Sequence, residues 1–203
     1  TTPQPVVDHA DPALLEQVTI HYTYQPACPD YYADADFTQL LQHCQQTLAP
    51  THLLFPLGAL ACIRSLYQLS QGRLLLLSAD KGYHDAADLR NLAEPDLTMH
   101  GSFSLMVNYH ALGEYVRQRG GLFFSAPPRV TSLDICAALF APQPQRYPET
   151  RLAYQLVIIQ RSPADFFTLK KAVERHFPAF TLPQLLAYLR LSGCDYKIFL
   201  DSF

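Results

Sequence analysis

Apolar and polar positions along the chain alternate with periods that predict strands and helices in turn. In Val18–Tyr24 every second residue is apolar, and this period of two predicts a half-buried strand. Apolar residues then recur at three- and four-residue steps in Phe37–Leu48 and in Leu57–Ser70, which predicts two helices. Asp36 is the predicted N-cap of the first helix, and Gly72 is predicted to end the second.

An uninterrupted apolar run follows in Arg73–Asp80 and predicts a strand that is buried on both faces of a parallel sheet. The polar residues of Asp80–Thr98 predict a loop, and Leu105–Val116 carries the apolar face of a third helix. Two further strand candidates, Leu122–Ser125 and Thr131–Phe140, predict a closing hairpin. Alternation of helices with buried strands predicts an α/β fold.

Beyond residue 150 the pattern changes to helices. Arg151–Gln160 fits either a strand or a helix. Ser162 followed by Pro163 is typical of a helix start, and Thr181 with its following Leu-Pro repeats that start for a helix over Gln184–Leu191. Two short helices in succession are typical of a helical-repeat array.

Three parts are therefore predicted: an extended lead-in at residues 1–15, an α/β part at residues 16–145 and a helical extension at residues 146–203. The chain starts with Thr1 and ends at Phe203 on an apolar helix face, so we expect it to be a piece of a longer protein. No repeat of 20–50 residues can be shown within so short a helical stretch.

Composition narrows the class of protein. Of the 203 residues, 49% are hydrophobic and 16% are charged, which predicts a globular fold rather than disorder. A net charge of -3 without long runs of like charge gives no attraction to nucleic acid or to anionic membranes. No apolar run approaches the roughly 20 residues of a membrane span. Five widely spaced cysteines and no signal-peptide pattern predict a cytoplasmic protein with reduced thiols.

Candidate chemistry lies at the end of the apolar strand. Ligands of open α/β sheets bind beyond the carboxyl ends of strands, where this sequence has Asp80 and Lys81. A solvated turn in which Gly82 supplies a permissive backbone is the alternative, and both remain open. His100 titrates near neutral pH, although a lone His beside a helix start more often caps or packs. Asn108 is expected at the surface. The candidate catalytic residues are Asp80 and His100, and the candidate substrate-binding residues are Lys81, Tyr83, Phe103 and Asn108.

Metal and nucleotide sites have weaker support. Possible metal ligands cluster from Asp80 to Asp88, and His100 and His110 form a second group, but neither has a recognised ligand spacing. No metal site is therefore predicted. No glycine-rich G-x-G turn occurs among the 8 glycines, so no cofactor-binding residue is identified.

The stretch from Leu53 to about Phe140 resembles the C-terminal half of the MidA-like AdoMet-dependent methyltransferases. Residues Gly72–Gly82 resemble the family's strand that closes in Asp-Tyr-Gly, with Lys81 in place of Tyr. His100-Gly-Ser-Phe103 resembles the family's His-Val-Asp-Phe step into a helix, and Arg117–Leu122 resembles its passage into the last strands. Helical segments resemble the tetratricopeptide-type helices that follow the domain in bacterial relatives, at Phe166–Val173 and Leu185–Leu191.

This resemblance implies the later part of a class I methyltransferase-like (Rossmann-type) sheet, followed by a helical C-terminal region. It implies S-adenosyl-L-methionine as the cofactor, with the main donor-binding motif absent from this chain. Asp80 and His100 would then orient or deprotonate an acceptor nitrogen, for which a protein side chain is one candidate. The alternative is a catalytically inactive methyltransferase-like scaffold, or a module that binds a protein partner through its C-terminal helices.

Overall fold

A computed structural model describes residues 11, 13–14, 18–28, 30–99, 102–127, 133–160 and 163–202. The chain divides into two compact units, one that ends at Arg146 and one that begins at Tyr147. The first unit is a mixed α/β structure and the second is helical, so the predicted α/β class with a helical C-terminal region is confirmed. Within the described residues no helix is both long and apolar enough to span a bilayer.

The first unit contains a four-stranded mixed sheet in the order β4-β1-β6-β5. Its strands are β1 (Leu74–Tyr83), β4 (Val107–Asn108), β5 (Leu122–Phe124) and β6 (Leu133–Phe140). β6 runs antiparallel to both β1 and β5, and β4 runs parallel to the last two residues of β1. Two further short strands, β2 (Thr98–Met99) and β3 (Phe103–Ser104), pair with each other. The predicted closing hairpin is confirmed as β5 and β6.

Three helices pack together with one face of this sheet. They are α1 (Ala35–Thr47), α2 (Leu57–Leu69) and α3 (Tyr109–Gln118). Their buried side chains share one apolar core with the inward-facing residues of β6, among them Cys136, Ala138 and Phe140. α3 contributes most of its length to this core, because Tyr109 and five other residues of the helix are buried.

Local signals account for the helix ends, with one correction. The N-cap of α1 is Asp34 rather than Asp36, since Oδ1 of Asp34 accepts from the backbone N–H groups of Asp36 and Phe37 at 3.1 and 3.3 Å. α2 ends at Leu69, and the predicted stop, Gly72, follows three residues later with a φ of 77°. α3 begins four residues later than the apolar pattern at Leu105 suggests, because the side chain of Asn108 caps it.

The apolar run at Leu74 does form a strand, but the prediction of two buried faces in a parallel sheet is wrong. Leu74 and Leu76 pack against the core, whereas Leu75 and Leu77 are 51% and 63% exposed. The helices cover only one face of β1, and its main partner β6 is antiparallel. The strand also continues to Tyr83, so Gly82 lies within a strand, and the alternative of a solvated turn there does not hold.

The predicted strand at Val18–Tyr24 is also wrong. These residues have no regular secondary structure, and most of them are exposed. Side-chain hydrogen bonds, rather than a backbone ladder, attach this segment to the rest of the unit. The hydroxyl of Tyr22 donates to the carbonyl of Pro95, and that of Tyr24 donates to the carboxylate of Glu94. We call residues 18–28 the tyrosine strap.

The second unit consists of short helices. They are α4 (Pro148–Tyr154) continued by a π-helical turn (Gln155–Ile159), α5 (Pro163–Glu174), α6 (Leu182–Leu191) and α7 (Tyr196–Ser202). The ambiguous segment after Arg151 is thus helical. Thr181 caps α6 as predicted, its backbone N–H donating to Oε1 of Gln184 at 2.7 Å. The predicted cap of α5, Ser162, lies outside the described residues.

Candidate functional site

A cleft of about 350 Å3 lies beside the carboxyl ends of β1 and β4. The two strands are parallel here, with Gly82 opposite Val107 and Tyr83 opposite Asn108. The cleft is lined by His52, Leu53, Leu54, Tyr83, Leu89, Leu92, Ala93, Glu94, Pro95, Asp96, Thr98, Met106 and Asn108. We call it the strand-end cleft. It occupies the position at which open α/β sheets commonly bind ligands.

Glycine is required at position 82 by a close approach of the two strands. A Cβ atom at Gly82 would lie 2.4 Å from the carbonyl oxygen of Val107 and 2.7 Å from the ring of Tyr109. Such distances are well below van der Waals contact, so a side chain would push β4 away from β1. Gly82 therefore sets the geometry of the strand ends that border the cleft.

Asn108 is buried, with 3% of its surface exposed, although the sequence pattern predicted a surface position. Its Oδ1 accepts from the N–H of Ala111 at 3.0 Å, and its Nδ2 donates to the carbonyl of Leu54 at 3.1 Å. The first bond caps α3, and the second fixes the segment before α2 against the start of α3. Asn108 thus joins two walls of the cleft.

Charge in the cleft is negative. Glu94 and Asp96 line it, and no Lys or Arg is among its lining residues. Glu94 accepts a hydrogen bond from Tyr24, whose pKa is raised to about 12, mainly by this bond. Nδ1 of His52 lies 3.2 Å from the same hydroxyl. These groups favour a ligand that carries positive charge or N–H donors.

The structure places the predicted site residues in different surroundings. Tyr83 and Asn108 line the strand-end cleft. Asp80 and Lys81 do not line it and are exposed within the β1–β6 ladder, opposite Asp134 and Leu133. Phe103 lies in β3 and is 55% exposed. The other candidate catalytic residue, His100, lies outside the described residues.

Sequence patterns did not point to the remaining polar groups of the cleft. His52, Glu94 and Asp96 stand in segments without a motif or a periodicity. Folding brings them together, because the N–H of His52 donates to the carbonyl of Leu92 at 3.4 Å and the N–H of Leu92 donates to Oγ1 of Thr51 at 3.2 Å. The only available signal was the excess of acidic over basic residues in the predicted loop.

A histidine–carboxylate pair lies at the same end of the sheet. Nδ1 of His84 is 3.0 Å from Oδ1 of Asp134, and the two side chains are only 8% and 19% exposed. Burial raises the pKa of Asp134, and the neighbouring His84 opposes that shift. Burial also lowers the pKa of His110. Within the described residues no three His, Cys, Asp or Glu side chains are grouped closely enough to hold a metal ion.

The positions of the glycines test whether a methyl donor fits these residues. Gly72, Gly120 and Gly193 have positive φ, and each follows the end of a helix. Gly82 lies within a strand. In the described part of the chain, therefore, no glycine turn leads from a strand into a helix N-terminus, which is where a nucleotide-like donor would bind. These residues do not form a donor site.

A second cavity, of about 600 Å3, lies against α1. It shares His52, Leu53, Leu54 and Pro95 with the strand-end cleft and is otherwise lined by Tyr22, Tyr24, Leu41, Cys44, Gln45, Leu48, Ala49, Pro50, Thr51 and Phe55. We call it the α1 cavity. Unlike the cleft, it has no Asp or Glu among its lining residues.

Comparison of the chain with models of known families, with curated proteins and with solved structures gives no match.

Proposed function

We propose that this chain is the C-terminal portion of an AdoMet-dependent methyltransferase of the MidA type, and that the strand-end cleft is part of its acceptor pocket. The observation that carries the proposal is the position of the cleft at the carboxyl ends of the parallel pair β1 and β4. A helix followed by an antiparallel last pair of strands, as in α3, β5 and β6, is also what the sequence resemblance implies for this part of the sheet.

The lining of the cleft suits an acceptor nitrogen. Glu94 and Asp96 supply carboxylate oxygens that accept N–H hydrogen bonds, and the absence of Lys and Arg from the lining leaves this charge unopposed there. The hydroxyl of Tyr83 has no partner within the described residues and is available to a ligand. Methyl transfer depends mainly on alignment of the nucleophile, which these groups provide.

The proposal assigns the acceptor side of the reaction to this chain and the donor side to another part of a longer protein. When bound, the donor would supply an electrophilic methyl group. The described residues form no site for it and hold only the acceptor, which we propose is a protein side chain. Tyr83, Glu94 and Asp96 are the residues we expect to orient it.

The test is transfer of a labelled methyl group from S-adenosyl-L-methionine to cellular protein by the full-length protein that contains this chain. We expect Tyr83→Phe to lower the rate by about 2- to 10-fold, which corresponds to loss of one hydrogen bond of roughly 0.5–1.5 kcal/mol. Tyr196→Phe is the matched control, because Tyr196 is 75% exposed on α7. No transfer, together with no heat on titration with S-adenosylhomocysteine, would refute the proposal.

A second candidate function, a protein-binding module, is favoured by the surface of the helical unit. Large apolar side chains there are exposed, among them Leu182 (58%), Leu191 (76%) and Tyr196 (75%). Large exposed apolar patches on a folded protein commonly mark surfaces that bind another protein. Leu191→Glu in the full chain should then abolish capture of a partner while it leaves methyl transfer unchanged.

A further inference from the structure

The α1 cavity differs from the strand-end cleft in its chemistry. No Asp, Glu, Lys or Arg lines it. Most of its wall is hydrocarbon, including four leucines, Phe55 and two prolines. Burial raises the pKa of the Cys44 thiol to about 11, so this group is neutral as well. A charged ligand would lose its hydration here without gaining a counter-ion, whereas a neutral apolar ligand would gain by leaving water.

Fixed aromatic rings hold the walls of this cavity apart. The ring of Phe55 stacks on that of Tyr32, with centroids 5.0 Å apart and an interplanar angle of 21°. The rings of Tyr24 and His52 meet edge to face at 5.7 Å. Because each ring has a partner of its own, collapse of the walls into the space would break these contacts. The cavity is therefore preformed.

The tyrosine strap contributes to the wall that faces α1. Tyr22 and Tyr24 line the cavity, and their hydroxyls are hydrogen-bonded to the carbonyl of Pro95 and the carboxylate of Glu94. The strap has no backbone ladder, so these two side-chain bonds are the main polar contacts that hold it. Some polar groups of the lining have no hydrogen-bond partner within the described residues, namely Nε2 of His52 and the side-chain amide of Gln45.

We propose that the α1 cavity is a binding site for a neutral small molecule that has a hydrocarbon body and one hydrogen-bonding end. Its volume of about 600 Å3 falls within the range of roughly 300–1,000 Å3 that is usual for small-molecule sites. The leucines receive the hydrocarbon, and His52 or Gln45 bonds its polar end. Such binding requires neither a methyl donor nor an acceptor, so it stands apart from the methyltransferase proposal.

The test is titration of the 203-residue chain with 1-butanol, 1-hexanol and 1-octanol, followed by two-dimensional NMR. Affinity should rise about fourfold for each added methylene, which is the value expected when a CH2 group is fully buried. Hexylammonium and hexanoate have the hydrocarbon body of hexanol but carry a charge, and both should bind at least about tenfold more weakly. Equal or tighter binding of either ion, affinity that does not depend on chain length, or no saturable shift would overturn the proposal.

Matched variants locate the site. Ala49 lines the cavity from an exposed position, so Ala49→Trp should fill the space without disturbing the core and should abolish octanol binding. Leu69 is 81% exposed on α2 and does not line the cavity, and Leu69→Trp should bind octanol as the unmodified chain does. Leu48→Phe is a second filling variant if Ala49→Trp fails to fold by circular dichroism. Unchanged octanol binding in a folded filling variant would place the ligand elsewhere and overturn the proposal.

Discussion

Removal of the Asn108 side chain should destabilise the first unit more than most single substitutions. Asn108→Ala removes the cap of α3, which costs about 1 kcal/mol in typical helices. It also leaves the carbonyl of Leu54, which is in a part-buried environment, without its donor, at a cost of about 1–3 kcal/mol. The expected loss in the free energy of unfolding is therefore about 2–4 kcal/mol.

A second variant separates the two hydrogen bonds of Asn108. Asn108→Ser keeps an oxygen that accepts from the N–H of Ala111 but loses the donor to Leu54. We expect Ser to recover about 1 kcal/mol relative to Ala. Gln46, which is exposed on α1, supplies the control Gln46→Ala, which should change the free energy of unfolding by less than about 0.5 kcal/mol.

Urea titration followed by far-ultraviolet circular dichroism measures these free energies. Unchanged slopes with shifted midpoints would show that the variants alter stability alone. A loss below about 0.5 kcal/mol for Asn108→Ala, or equal losses for Ala and Ser, would refute the view that Asn108 both caps α3 and fixes the preceding segment.

Three further predictions concern packing, pH and thiol reactivity. Gly82→Ala should lower the free energy of unfolding by about 1–3 kcal/mol because its Cβ would meet Val107, whereas Gly58→Ala, with open space around it, should raise that free energy by up to about 1 kcal/mol. Equal effects of the two substitutions in the same urea assay would contradict the close approach at Gly82. Because the pKa of His110 is lowered in the folded chain, the unfolded chain binds a proton at His110 more tightly, and stability is lost as pH falls through about 6.5. His110→Gln should weaken this loss, and parallel curves of stability against pH for the two proteins would exclude a contribution of His110. A thiol reagent at pH 8 should modify the three exposed cysteines and should spare Cys44 and Cys136 until urea unfolds the chain, because burial raises the pKa values of these two thiols to about 11 and about 12. Equally fast modification of all five thiols in the folded chain would contradict this prediction.

Features governed by local sequence were predictable. Apolar residues at helical spacing and the stop at Gly72 placed α2 within one residue of its observed end. The two apolar runs separated by a proline-containing loop predicted the hairpin of β5 and β6. The contacts within α2 lie a few residues apart along the chain, and β5 and β6 are consecutive strands, so the pattern itself contains the information.

Features governed by tertiary pairing were not predictable in the same way. Four consecutive leucines, Leu74–Leu77, have the same pattern whether one or both faces of a strand are covered, and the chain could not specify that helices cover one face alone. The alternation in Val18–Tyr24 suggested a strand, but a strand also needs a backbone partner. Its tyrosine hydroxyls found side-chain and loop partners instead.

The candidate site was accessible from the sequence only in part. Tyr83 and Asn108 were candidate substrate-binding residues and line the cleft, whereas the strand-end rule pointed to Asp80 and Lys81, which do not line it because β1 extends past Asp80. Glu94 and Asp96 belong to a segment whose position depends on the hydrogen bonds that Leu92 makes with Thr51 and His52, which lie far earlier in the chain. No local pattern encodes such a contact.

The strand-end cleft and the α1 cavity share one wall. His52 and Pro95 line both spaces, and Tyr24, which lines the cavity, donates to Glu94, which lines the cleft. Loss of the Tyr24 hydroxyl, as in Tyr24→Phe, would therefore release the Glu94 carboxylate to the cleft. Since the cleft has no Lys or Arg in its lining, the released carboxylate would strengthen its attraction for a cation. The hydrogen bond between Tyr24 and Glu94 thus joins a residue that lines the α1 cavity to a carboxylate that lines the cleft.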